Sequence, residues 1–147
     1  MNYHYTECGL NNVYIDGIVP FLDDDGDEIV HIKSINVLHA TIALGIISHE
    51  KSMSGAELRF LRSEMGMTQA ELAKVIHVDK QTVGRWEREE TTLDGTPETV
   101  IRQLAIERLV LTFNEGIEKL ASSSVDSLEP QPINIELDEC DGYRLAA

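Results

Sequence analysis

The spacing of hydrophobic positions along this chain changes near residue 34. Before that point, short aromatic and β-branched runs at 3–5, 13–15, 18–22 and 28–32 are separated by turn-forming residues, a pattern that predicts strands. After it, apolar residues recur every three or four positions, which predicts helices. The sequence therefore predicts an α+β fold, in which a small β-rich layer precedes a helical region.

Aspartates fill the turn of a predicted hairpin between the third and fourth of these runs. The segment Asp23-Asp-Asp-Gly-Asp27 invites comparison with a calcium loop, but an EF-hand has glycine at its sixth position and an acid at its twelfth. Here Gly26 is fourth from Asp23 and the twelfth residue is Ser34. We therefore predict a solvated turn and no metal site. Ser34 suits the N-cap of a helix that runs to about Ser48.

Three helix starts follow in quick succession. Ser54-Gly-Ala-Glu57 and Thr68-Gln-Ala-Glu71 both fit the capping box, and Asp79 provides a third N-cap. Gly66 is expected to end the first of these helices. Because such short helices are unstable alone in water, they have to share a core. The apolar residues predicted to form that core are Leu58, Leu61, Met67, Leu72, Ile76, Val78, Val83 and Trp86.

The third of these helices has two different faces. Val83 and Trp86 lie on one side, whereas Gln81, Arg85 and Arg88 lie on the other at i, i+4 and i+7. Arginine can bridge O6 and N7 of guanine, and glutamine can bridge N6 and N7 of adenine. The outward face therefore suits the reading of a DNA major groove better than the alternative, a structural module whose polar residues only face solvent.

A glycine, Gly84, also lies on the outward side of this helix. Gly84 would allow the helix to lie close to the groove floor.

Thr96-Pro97-Glu98 then supplies an N-cap hydroxyl, a proline at the first position and an acid at the positive helix end. The helix that follows, with a break near residues 114–116, is more apolar than one small core requires. Two alternatives remain, packing on the N-terminal layer or a dimer interface.

The pattern divides the chain into three parts: a strand, hairpin and helix module at 1–50, a five-helix domain at 51–120, and a linker with an acidic tail at 121–147. Within the tail, Ile133-Asn-Ile-Glu-Leu137 alternates apolar and polar residues, as an edge strand does. If it is unpaired, the tail is expected to be mobile.

Charge is distributed unevenly between these parts, although the net charge is −14. Residues 51–90 contain seven basic and seven acidic side chains, whereas residues 1–50 and 91–147 each carry −7. All of the excess negative charge therefore lies outside the centre. A phosphate-facing surface is compatible with the central segment, and the acidic flanks should limit non-specific DNA binding.

The sequence indicates no membrane span, no disulfide or zinc site and no enzyme active site. The most apolar run, at 42–47, is too short to span a bilayer and the N-terminus lacks a signal core, so we expect a cytoplasmic, nucleoid-associated protein. Cys8 and Cys140 belong to no CxxC motif. Free thiols are therefore expected in preference to a disulfide or half of a zinc site. No motif supplies an oriented base or an oxyanion site, so we expect no enzyme activity and no cofactor.

The central segment resembles the helix-turn-helix of the Cro/repressor (Xre) family over about residues 54–110. The resemblance rests on Met67-Thr-Gln-Ala-Glu-Leu-Ala73, Val78 and Gln81-Thr-Val-Gly-Arg-Trp-Glu87. One departure is His77, because the family usually has glycine in the turn. A non-glycine residue at that position is expected to need a less favourable backbone conformation.

The resemblance implies how the segment binds DNA. It implies that Thr68 and Gln69 touch phosphates, that the helix from Lys80 enters the major groove, and that two subunits bind a pseudo-palindromic operator. Gln81 and Arg85 are predicted to read bases. The residues predicted to contact phosphates or marginal bases are Thr68, Gln69, Lys74, Lys80, Thr82 and Arg88.

The rest of the chain resembles a narrower group, the Xre-type regulators related to MqsA-type antitoxins. This resemblance rests on Tyr5-Thr-Glu-Cys-Gly-Leu-Asn-Asn-Val13, Leu38-His39 and Gly55-Ala-Glu-Leu-Arg-Phe-Leu-Arg62. MqsA-type antitoxins carry two zinc-binding CxxC pairs, which this sequence lacks, so zinc is not implied here. We predict a homodimeric, sequence-specific repressor of double-stranded DNA. The alternative is an antitoxin of a type II toxin-antitoxin pair that neutralises a partner toxin.

Overall fold

The computed structural model describes residues 2–93, 95–109, 117–123, 131–137 and 142–146. Six helices and two β-sheets are present in these ranges, which confirms the predicted α+β class. No helix in the described part of the chain is long and apolar enough to cross a membrane. Cys8 is a free thiol, whereas Cys140 lies outside the described residues.

Four strands form the main sheet in the order β1-β2-β5-β6. They are β1 (Asn2–His4), β2 (Val13–Asp16), β5 (Ile133–Leu137) and β6 (Tyr143–Leu145). β1 pairs antiparallel with β2, β2 pairs parallel with β5, and β5 pairs antiparallel with β6. The alternating segment of the tail is thus a strand, but it lies inside the sheet and not at its edge. Ile133 and Ile135 are buried and Leu137 is half-buried. The strand has β2 on one side and β6 on the other, and both pair with its backbone.

The predicted hairpin forms a separate two-stranded sheet from β3 (Phe21–Leu22) and β4 (Glu28–Ile29). Its turn is closed by the carboxylate of Asp23, which accepts hydrogen bonds from the backbone N–H groups of Asp25 at 3.0 Å and Asp27 at 2.8 Å. An aspartate that bonds the backbone ahead of it is a common way to make a tight turn.

Helix α1 (Ile35–Ser48) packs on the main sheet. Leu38, Ile42 and Ile46 are fully buried, whereas Ile35 at the start of the same stripe is exposed. Gly45 allows the close approach, since a Cβ there would lie 2.8 Å from Cγ2 of Ile133. The helix begins where predicted, but Ser34 has φ 52° and its side chain makes no cap hydrogen bond, because an N-cap hydroxyl reaches the helix from an extended backbone.

The next three helices are α2 (Gly55–Glu64), α3 (Gln69–Ile76) and α4 (Lys80–Glu87). The structure confirms both capping boxes, at Ser54 and at Thr68. It also confirms the strained turn, because His77 adopts a left-handed conformation with φ 59°. Asp79 precedes α4 in an extended conformation, but its carboxylate makes no cap hydrogen bond, contrary to prediction. The predicted core is buried, apart from Ile76 and Val78, which are half-buried.

Helices α5 (Gly95–Leu109) and α6 (Ile117–Ser123) follow. Helix α5 starts at Gly95, so Thr96 lies within the helix and is not its N-cap. The predicted break near 114–116 lies outside the described residues. Helix α5 packs against α1 and α6 and buries Ile101 and Ala105, so part of its apolar surface covers the N-terminal layer, one of the two alternatives that the sequence left open.

A buried ion pair joins α5 to the connection between α1 and α2. Arg102 and Glu98 are both fully buried, with Nη2 2.9 Å from Oε1. The guanidinium also donates to the carbonyl oxygens of Ile47, His49 and Lys51, at 3.0, 2.9 and 2.6 Å. Arg102 thereby satisfies carbonyl groups at the end of α1 that have no partner inside the helix.

The same junction reaches the main sheet through Glu57 on α2. Its buried carboxylate accepts a 3.2 Å hydrogen bond from Nδ2 of Asn12, which also donates to the carbonyl oxygen of Gln131 at 2.7 Å. Nδ1 of His49 lies 3.4 Å from the same carboxylate. Burial raises the pKa of Glu57 and of Glu98, because the charged carboxylate is poorly solvated there. The helical region is thus tied to the sheet through polar side chains.

Candidate nucleic-acid interface

Helix α4 is held in place at its C-terminal end by the first residue of α2. A Cβ added at Gly55 would clash with the carbonyl oxygen of Glu87 and would lie 2.7 Å from that of Trp86. The N–H group of Gly55 also donates to Oε1 of Glu89 at 3.0 Å. Only glycine permits this approach of two backbones, so Gly55 determines how far α4 stands from the rest of the domain.

A second constraint is a network centred on the carboxylate of Glu87. It accepts from Nε and Nη2 of Arg62 at 2.6 and 3.1 Å, and from Nε2 of Gln69 at 3.1 Å. Arg62 belongs to α2 and Gln69 to α3, so one carboxylate connects three helices. Both members of the ion pair are largely shielded from water, with side-chain exposures of 14% and 5%. A bidentate, shielded pair holds its geometry better than a solvated one.

The inner face of α4 completes its attachment. Val83 is fully buried and Trp86 nearly so, which confirms that Trp86 belongs to the core. With its C-terminal end held by Gly55 and Glu87 and one face in the core, α4 presents its opposite face in a defined orientation.

That opposite face carries the two predicted base-reading residues. Gln81 and Arg85 are exposed and one turn apart on α4. Within the described part of the chain, neither side chain has a hydrogen-bond or ion-pair partner. Both are therefore free to meet hydrogen-bonding groups of a ligand, and their residue types match the edges of adenine and guanine in the major groove.

The other residues predicted to contact DNA differ in whether their side chains are exposed and unpaired. Lys74 and Lys80 are exposed, and Thr82 is half-buried. Thr68 is exposed, but its hydroxyl accepts the N–H of Glu71 in the capping box. Arg88 is exposed and forms an ion pair with Glu90, two residues further along.

Gly84 does not present an open surface in the isolated chain, because it is buried beneath two longer side chains. A Cβ there would lie 3.0 Å from Nη1 of Arg88 and 3.6 Å from Oε1 of Gln69. The structure thus brings Gln69 of α3 and Arg88, the residue directly after α4, together over this glycine. Its immediate role is to make room for them, which the helical pattern alone did not reveal.

Sequence reasoning missed the residues that hold α4 in place, namely Gly55, Arg62 and Glu87. Arg62 is one of the seven basic residues between 51 and 90, but its charge is paired with Glu87 inside the domain. One sequence signal pointed to Gly55: a glycine directly after an N-cap serine, where a better helix former is usual, indicates a close backbone contact.

Comparison with known proteins agrees with this geometry. Residues 58–96 match the family model for the helix-turn-helix, a range that begins in α2 and ends at the start of α5. The search of curated proteins gives no match, and neither does the search of solved structures. The match covers α3, the turn at His77 and α4, where the exposed Gln81 and Arg85 are found. Residues 58–96 therefore form a helix-turn-helix of the Cro/repressor (Xre) type, and this match supports a DNA-binding regulator.

Proposed function

We propose that the protein is a homodimeric repressor of its own operon, acting in the cytoplasm at the nucleoid. The observation that carries the proposal is the unpaired, outward pair Gln81 and Arg85 on a helix whose other face and C-terminal end are held by the core. A rigid element that presents such side chains is what base reading in the major groove requires. Gln81 and Arg85 specify bases in this proposal.

The surrounding side chains position the helix on the backbone. Lys74 and Lys80 supply exposed charge for phosphates, and Thr68 lies at the start of α3. Gln69, Thr82 and Arg88 contact phosphates or bases at the margin of the site. For Arg88 this requires exchange of its partner Glu90 for a phosphate, which costs little because a solvated ion pair contributes only about 0–1 kcal/mol.

Homodimer formation follows from the mode of recognition and not from a described interface. One recognition helix reads only a short half-site, and a second subunit doubles the number of base contacts across a pseudo-palindrome. Sedimentation equilibrium with the operator should show two chains per duplex. A single chain per duplex at saturation would contradict the dimer.

The central experiment measures binding of the full chain to the DNA upstream of its own gene at physiological salt. The Gln81→Ala/Arg85→Ala variant should lose specific binding, at about 1–3 kcal/mol for each bidentate contact. The matched control, Gln103→Ala/Arg108→Ala, removes the same residue types from α5 and should bind like the parent. Equal binding by both variants would refute the base-reading assignment, and absence of binding by the parent would refute autorepression.

A second candidate function is neutralisation of a partner protein, as the resemblance to antitoxins suggests. It is favoured by the group of exposed apolar side chains on and beside the β3–β4 hairpin. Expression of the product of the neighbouring reading frame, with and without this protein, tests it. An antitoxin should restore growth that the neighbour arrests, and unchanged growth arrest would contradict this function.

A further inference from the structure

Exposed apolar side chains are concentrated in one short part of the chain. Val19 is 81% exposed, Leu22 70% and Phe21 52%. Six of the eight large hydrophobic residues that are exposed in the described ranges fall between residues 19 and 37; we call them the hairpin surface. Its members are Val19, Phe21, Leu22, Ile29, Ile35 and Val37. Single exposed apolar residues are ordinary, whereas apolar area that is contiguous on the surface typically marks an interaction site.

The β3–β4 hairpin has little else to stabilise it. Phe21 pairs with Ile29 and Leu22 with Glu28, so neighbouring positions place apolar side chains on both faces of the ribbon. All four residues are exposed, and β3 and β4 lie in a sheet of their own, outside the main one. A two-stranded hairpin is only marginally stable in water without further packing. A partner that covers one face would stabilise it.

Charge identifies the kind of partner. The hairpin turn carries five acidic residues between 23 and 28, four of them exposed, and the nearest lysine in the sequence is Lys33. Two copies placed face to face would bring both sets of carboxylates together, which disfavours a second copy of this chain. DNA and anionic membranes are repelled for the same reason. The complementary occupant is a protein surface that combines apolar and basic side chains.

We propose that the hairpin surface, together with the acidic turn at 23–28, is the docking site for a basic, partly apolar partner protein. The inference rests on the second candidate function and supplies the surface and partner chemistry for it. Apolar contacts with Val19, Phe21 and Leu22 provide burial, and the carboxylates accelerate the encounter and reject acidic proteins. Base reading by Gln81 and Arg85 does not depend on this site.

The test uses the full chain and defined peptides measured by fluorescence anisotropy at physiological salt. The probe is a blocked peptide of alternating lysine and leucine, which presents both chemistries along one extended strand. Two comparison peptides alternate lysine with serine and glutamate with leucine. The probe should bind at least about tenfold more tightly than either comparison peptide, a difference of about 1.4 kcal/mol.

Variants then locate the binding. Val19→Ser/Leu22→Ser removes apolar area, and Asp24→Asn/Asp25→Asn removes charge while leaving the turn-closing Asp23 in place. Each should weaken binding of the probe about tenfold or more. Matched controls remove the same chemistry from exposed positions elsewhere and should bind like the parent. These controls are Val75→Ser/Val100→Ser and Glu107→Gln/Glu118→Gln.

Each outcome decides the matter. Loss of affinity in the hairpin variants alone supports the docking site. Equal affinity in hairpin and control variants, or no preference for the probe over the comparison peptides, would overturn it. Dissociation of a parent dimer caused by Val19→Ser/Leu22→Ser, seen by sedimentation velocity, would show that a second copy occupies the surface and would also overturn the proposal. Operator binding by the same variants reports separately on DNA recognition, and growth rescue reports separately on neutralisation.

Discussion

Arg102 and Arg85 are the same residue type in opposite surroundings. Arg102 has no exposed surface, and its N–H groups donate hydrogen bonds to Glu98 and to carbonyl oxygens around the end of α1. Arg85 is exposed and has no partner within the described chain. The first is committed to holding α5 against the end of α1 and the α1–α2 connection, and the second is left free for a ligand. The comparison shows that an arginine's function follows from which of its donors are already satisfied.

Loss of Arg102 should produce the largest effect. In Arg102→Leu, the buried Glu98 and the carbonyl groups near the end of α1 lose their partner. Removal of one member of a buried pair costs about 3–5 kcal/mol. Urea unfolding should show this loss, whereas Arg108→Leu, an exposed position on the same helix, should change stability by less than about 0.5 kcal/mol. Equal midpoints for the two variants would show that the buried pair does not hold the layers together.

The attachment of α4 is the next most sensitive feature. In Gly55→Ala, the new Cβ meets the carbonyl oxygens of Glu87 and Trp86, so α2 and α4 have to separate. Overpacking of this kind costs about 1–3 kcal/mol. Unlike Arg102→Leu, this change should also weaken operator binding in protein that is still folded, because it moves the recognition helix. Ala56→Ser, one residue further along at an exposed position, is the control. Parent-like operator affinity in folded Gly55→Ala would contradict the positioning role.

Local features of this fold could be predicted from the sequence, whereas the contacts of Arg102 and Gly55 could not. The starts of α2 and α3, the hairpin and the inward residues of α2 to α4 were predictable, because capping boxes, turns and apolar spacing are local properties. The candidate base-reading face was predictable for the same reason, since Gln81 and Arg85 share a helix face with nothing apolar between them.

What could not be predicted depends on residues that are distant in the sequence. The parallel pairing of β2 with β5 joins Val13 to Ile133, and no local pattern chooses that partner. Glu98 and Arg102 look like a solvated pair on a helix surface, because an i,i+4 spacing carries no information on burial. At Gly55 the sequence indicates a close backbone contact, but it does not identify the end of α4 as the partner.

Arg85→Ala is the counterpart of Arg102→Leu on the exposed side of the comparison. It should cost about 1–3 kcal/mol of operator affinity and relax the preference at one base pair, while the unfolding midpoint stays within about 0.5 kcal/mol of the parent. Competition binding with single-base operator variants measures both quantities. An unchanged base preference would show that Arg85 contacts only the backbone.

Acidification should lower the stability of the folded protein, because His49 is buried close to Arg102. Burial, and then the charge of Arg102, lower the pKa of His49 from 6.5 to about 4. The unfolded chain therefore binds more protons between these values, and stability is lost as the pH falls from 6.5 towards 4, by up to about 1.4 kcal/mol per pH unit. Glu57 and Glu98, whose pKa values are raised, work in the opposite sense as the pH rises.

The variant His49→Gln isolates this contribution. Its stability should fall less steeply than that of the parent between pH 6.5 and 4, since the two raised carboxyl groups remain in both proteins. Identical slopes for His49→Gln and the parent would mean that His49 titrates normally in the folded protein.

The smallest effect is expected in the turn at His77, which joins α3 to α4. His77 has φ 59°, a conformation that costs a non-glycine residue roughly 1–2 kcal/mol. His77→Gly removes that strain, and the added freedom of the unfolded chain offsets part of the gain. The net stabilisation should be about 1 kcal/mol, measurable as a higher urea midpoint with operator affinity unchanged, because His77 lies before the base-reading face of α4. A destabilised His77→Gly would show that the imidazole makes contacts that outweigh the strain, whereas weaker operator binding at parent stability would place His77 itself on the DNA.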